Sequence, residues 1–155
     1  MNWSAMSAVA DLLASVGVII SLIYVAVQLK QNSKVAGASN YQQNMELISG
    51  ASALISGSSE LTDIYNRGCK NYYELNENEL TRFHMMMSNF VLPIQMNIHM
   101  KNRGLMEDQL YLGQIDSFLN LFHNPGIRDW WNISKKWFHQ DFVRQIDMHV
   151  QDQHT

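Results

Sequence analysis

The chain has 155 residues, a net charge of −3, a pI near 6.0 and 46% hydrophobic residues. That length holds one domain, or one domain plus an appendage, and a helical remainder of roughly 120 residues can bury a core. The absence of a basic excess argues against nucleic acid as the main partner, and the lone Cys69 excludes an internal disulfide framework. Two prolines in the whole chain, and few β-branched residues beyond position 30, favour helices over sheet.

All 11 Lys and Arg residues lie at position 30 or later, and Asp11 is the only charged side chain before them. Residues 12–27, LLASVGVIISLIYVAV, carry no charge. An α-helix rises 1.5 Å per residue, so about 20 such residues cross the hydrocarbon of a bilayer. Trp3 and Tyr24 stand 21 residues apart, roughly 31 Å of helix, which suits aromatic residues at two membrane interfaces. A transmembrane helix over residues 1–30 is therefore predicted. A cleaved signal peptide would carry a basic leading region, which residues 1–11 lack. A helix lying flat on a membrane would carry a strongly charged face. A core helix of a soluble bundle is the remaining alternative, because the uncharged run is short.

Lys30 and Lys34 flank the C-terminal end of the span and nothing basic flanks its start. The positive-inside rule then keeps the following domain in the cytoplasm and the N-terminus outside. Ser7, Ala10, Ala14, Gly17 and Ser21 recur at alternating steps of three and four, forming a stripe of small side chains. Such stripes let helix backbones approach in lipid, so this one is a candidate face for self-association or for a membrane-protein partner.

Residues 31–40 read as a juxtamembrane segment, either a linker or a continuation of the helix. Tyr41, Met45, Ile48 and Ile55 then share a helical face, with Leu47, Ala51 and Leu54 beside it. A short helix over about 60–68 is expected, capped by Ser59 and closed by Gly68. Asn76 and Glu79 make a capping pair for a long helix that ends near Arg103, with Gly104 as its left-handed stop and Pro93 as a kink. A fourth helix starts near Met106. Asn124-Pro125-Gly126 breaks it and opens a fifth, with Pro125 at the first helical position. A last helix covers roughly 140–151, and the polar tail to Thr155 is expected to fray.

Two stretches, residues 17–32 (GVIISLIYVAVQLKQN) and Pro125-Gly126-Ile127-Arg128-Asp129-Trp130-Trp131 with Phe138 and Asp141 to Arg144, resemble a widespread family of uncharacterised bacterial proteins. Members have about this length, one N-terminal anchor and a helical remainder. The resemblance implies the architecture and a bacterial inner membrane. It brings no activity and no binding residues. The Met85-Met86-Met87 run and the low charge content depart from the pattern.

Chemistry-bearing motifs are sparse. No two histidines stand at i, i+4, no HExxH, P-loop, nucleophile elbow or dinucleotide fingerprint occurs, and no cofactor, metal or catalytic residue is assigned. His84 and His99, on the long helix, are the pair to inspect for a metal assembled from distant positions. Glu74, Glu77 and Glu79 sit where a helix N-terminus favours negative charge. Arg128, Trp130, Trp131, Lys135, Lys136 and Trp137 interleave basic and aromatic residues and form a second candidate interaction surface, toward a protein or anionic lipid. The competing reading puts the tryptophans in the core and leaves the basic residues in water.

The sequence thus predicts an all-α chain: a transmembrane anchor at 1–30, a juxtamembrane segment at 31–40, and a cytoplasmic bundle of about four or five helices at 41–155. Its partners are expected to be membrane lipid and either a second copy or another membrane protein. The first functional expectation is a non-enzymatic, self-associating scaffold. The second is a helical sensor for a lipid or other apolar ligand, and the third an enzyme whose site follows no motif.

Overall fold

The computed structural model describes residues 3–152. Helix α1 runs Trp3–Ser56, α2 Ser59–Lys70, α3 Glu77–Asn102, α4 Asp108–Leu119, α5 Pro125–Ser134 and α6 Gln140–Asp152. Short 3₁₀ turns at Tyr72–Glu74, Asn120–His123 and Lys135–Trp137 join them, and no strand occurs among the described residues. The fold is all-helical, as composition predicts.

Helix α1 has 54 residues in one unbroken run, about 81 Å. Residues 31–40 continue the helix and form no linker. The helix meets the bundle first at Gly37, where an added Cβ would lie 2.1 Å from the Leu105 carbonyl oxygen. From there Gly37, Asn44, Ala51 and Ile55 are buried and Tyr41 and Ile48 half-buried, a stripe at steps of three and four that packs on α3. Leu47 and Leu54, placed beside that face by the sequence, instead stay 63% and 68% exposed.

Local chemistry sets the other ends. Ser58 rather than Ser59 caps α2, its hydroxyl accepting from the Leu61 amide. Gly68 does not close α2. It lies inside the helix, where a Cβ would strike the Phe83 ring at 2.4 Å. The Asn76–Glu79 capping box forms as expected, with both reciprocal hydrogen bonds present. Helix α3 passes through Pro93 without ending, and Gly104, at φ 69°, makes the left-handed turn after it. Pro125 occupies the first turn of α5, but the Asn124 side chain turns back to donate to the Leu121 carbonyl and does not cap.

The core gathers Phe83, Met87 and Val91 from α3, Phe118 and Leu119 from α4, Ile127, Trp130 and Trp131 from α5, and Phe142 and Ile146 from α6. Helices α2 and α5 cross at two glycines: a Cβ on Gly126 would sit 1.9 Å from the Gly68 carbonyl oxygen. Of the methionine run, Met86 and Met87 join the core and Met85 faces outward.

Candidate functional site

Residues 3–36 of α1 touch none of the bundle closely enough to be buried, and every side chain described there is exposed. Leu12, Leu13, Ile19, Ile20, Leu22, Ile23 and Leu29 each expose more than half of their surface. This is the one helix among the described residues long and apolar enough to cross a membrane. The small stripe lies within it. Ser7, Ala10, Ala14, Gly17 and Ser21 are all exposed, and Ser21 donates its hydroxyl hydrogen to the Gly17 carbonyl at 2.9 Å. Gln28 donates to the Tyr24 hydroxyl at 2.8 Å.

The aromatic and basic residues of α5 do not share one surface. Trp130 and Trp131 are core residues, because the apolar face of α5 turns toward α2 and the 3₁₀ turns. Each indole N–H is matched inside: Trp130 donates to His84 Nδ1 at 3.0 Å and Trp131 to Asp147 Oδ1 at 2.8 Å. Lys135 pairs with the other oxygen of Asp147 at 2.8 Å. Arg128 donates to the Phe122 and His123 carbonyls and so satisfies the end of the Asn120–His123 turn. Only Lys136 and Trp137 remain together outside, the ammonium 5.1 Å from the indole centroid.

His84 accepts the Trp130 N–H, lies 3.4 Å from the Ser134 hydroxyl, and meets the Trp137 ring edge-on. Burial holds its pKa below the ordinary imidazole value, so the neutral ring that can accept is favoured. His99 stands far along α3 from it, beside His139 in a separate surface depression. No three His, Cys, Asp or Glu residues converge as metal ligands among the described residues, and His154 lies outside them. Cys69 is buried, and desolvation pushes its thiol pKa up.

A trough of about 540 Å³ lies between α1 and α4, a size typical of small-molecule sites. Both helices pack on α3, but hardly on each other. Phe90 and Ile94 of α3 and Tyr65 of α2 contribute to its lining. Burial beside Cys69 pushes the Tyr65 hydroxyl pKa up to about 12. The walls are Tyr41, Met45, Ile48 and Ser52 on α1, and side chains of α4 between Gln109 and Phe118, with Leu121 of the turn that follows. No lining residue carries a formal charge.

A ladder of side-chain amides runs from the buried Asn44 and Asn97 to Gln114 and Met45 in the trough lining. Asn44 donates to Asn97 Oδ1 at 2.6 Å, Asn97 to Gln114 Oε1 at 2.5 Å, and Gln114 to the Met45 sulfur at 2.7 Å. Sequence patterning finds the α1 wall, through Tyr41, Met45 and Ile48, but misses the α4 wall. The signal there is faint: Gly113 and Ser117, one turn apart, leave a gap on a helix otherwise rich in apolar residues.

No family model matches the chain, and neither a curated protein nor a solved structure is significantly similar to it.

Proposed function

We propose that the chain is a membrane-anchored, non-enzymatic interaction protein that associates with itself. One observation carries this reading: the apolar first half of α1 emerges bare from the bundle on all sides. Each exposed Leu or Ile forgoes up to roughly 1.5–3 kcal/mol of burial. Lipid is the solvent that removes this cost along the whole length. Lys30 and Lys34 then keep the bundle in the cytoplasm and leave the N-terminus outside. In keeping with the resemblance noted in the sequence, the membrane is a bacterial inner membrane.

Self-association is supported by helical phase. Eighteen residues make five turns, so Ala14 and Gly17 share a side of α1 with Gly50 and Ala53. Those residues are exposed too, and Leu47 and Leu54 flank them. One side of the helix thus offers close approach within the membrane and apolar surface beyond it.

The test is fractionation followed by crosslinking. The full chain should pellet with membranes and resist alkaline extraction, and added protease should reach the bundle only in inverted vesicles. A chain that stays in the supernatant overturns the anchor, and strictly monomeric protein in membranes overturns the self-association.

The trough favours a second reading: the bundle takes up an apolar ligand between α1 and α4, as a sensor would.

A further inference from the structure

We infer that the trough holds a single acyl chain, with a neutral ester or amide carbonyl accepting a hydrogen bond from the Gln114 side chain. The inference rests on the second reading above.

Three features select this ligand. From Tyr41 to Ser52 the trough follows α1 for about 16 Å, close to the roughly 15 Å that one leaflet of a 30 Å hydrocarbon core gives an acyl chain. Beyond its middle Ile48, Phe90, Phe118 and Leu121 make a mainly apolar bed for the tail, and the Ser52 and Ser117 hydroxyls that share it donate to carbonyls of their own helices. At its middle the Gln114 amide nitrogen has a thioether as its partner, the Met45 sulfur, which is a weak acceptor. A carbonyl oxygen is a better one and can replace it while Gln114 keeps its bond to Asn97.

The charge class follows from the walls. A carboxylate in the trough would find no lining cation and would lose its hydration without compensation. A neutral carbonyl avoids that cost. The single chain follows from distance. Tyr41 stands 14 residues past Val27, about 21 Å along α1, so the occupant must leave the bilayer. The cost of leaving grows with every methylene withdrawn from lipid, which disfavours two-chain lipids.

The experiment uses the full chain in nanodiscs and two probes with a terminal diazirine, a monoacylglycerol and an alkane of equal length. The monoacylglycerol should label Ile48, Phe118 or Leu121. Gly113→Trp fills the trough from a position where an added Cβ meets nothing within 4 Å. It should cut that labelling by about tenfold or more without lowering the melting temperature. Monolauroylglycerol should compete roughly tenfold better than lauric acid, a difference of the order of one hydrogen bond plus the unpaired charge. If the alkane labels the trough as strongly as the ester, the acyl carbonyl assignment fails and the apolar-ligand reading survives. If neither probe labels it, or if Gly113→Trp changes nothing, both fail.

Discussion

Asn44 on α1 donates a 2.6 Å hydrogen bond to Asn97 on α3, and both side chains are buried. Their pairing is a buried polar fastening between α1 and α3. Replacing one partner strands the other in an apolar setting, at a cost of about 1–3 kcal/mol, whereas replacing both removes the demand within the pair and leaves only the half-buried Gln114 without its Asn97 donor. Asn97→Leu should therefore lower the melting temperature by roughly 2–4 °C per kcal/mol lost. Asn44→Leu with Asn97→Leu should recover part of the loss. Thermal unfolding of the full chain, analysed as a double-mutant cycle, checks the sign of the coupling.

The glycine crossing makes a second contrast. Gly126→Ala would place a methyl 1.9 Å from a backbone oxygen, which cannot rotate away. The helices must separate, and a loss of about 3 kcal/mol or more is expected. Gly113→Ala, in open space on α4, should instead raise stability by about 0.5–1 kcal/mol through helix propensity alone. Paired melting curves of the two variants check the prediction.

His84 gives a pH dependence of known sign. Its folded pKa lies below the ordinary value, so the unfolded chain binds the proton more readily. Stability should then fall as pH drops below about 6.5 and level off below the folded pKa. Glu79, held low by Arg67, and Asp141, held low by Arg144, contribute losses only as pH falls through the carboxylate range. Above the carboxylate range, the His84 contribution is the difference between the parent chain and a variant that lacks this imidazole. His84→Gln keeps an acceptor for Trp130 and should flatten the curve there, measured as melting temperature against pH.

The tryptophans separate core from surface. Trp130→Ala should cost about 3–5 kcal/mol, since the ring is fully buried and its N–H is paired. Trp137→Ala, at a side chain 60% exposed, should stay within about 1 kcal/mol. Chemical denaturation monitored at the remaining indoles distinguishes the two.

What the sequence makes legible is local. The Asn76–Glu79 box, the Gly104 stop and the Pro125 start are each settled within four residues, so pattern alone finds them. Gly68 resembles a helix stop for the same local reason. Its actual role, letting Gly126 and Phe83 approach, depends on residues far along the chain. Leu47 and Leu54 have the hydrophobicity of core residues, yet the stripe that packs on α3 turns past them. The trough is harder still. It exists because α1 and α4 diverge over α3, and no residue pattern encodes the angle between two helices that scarcely meet.

The absence of any break in α1 between Val27 and Gly37 has a mechanical consequence. With no swivel there, the bundle cannot turn independently of the exposed stretch of α1. If two copies pair through that stretch, as proposed above, whichever flank they present to one another fixes the bearing at which their bundles meet. One extra residue near Asn32 would rotate every bundle by about 100°, changing which surfaces face each other while leaving each fold intact.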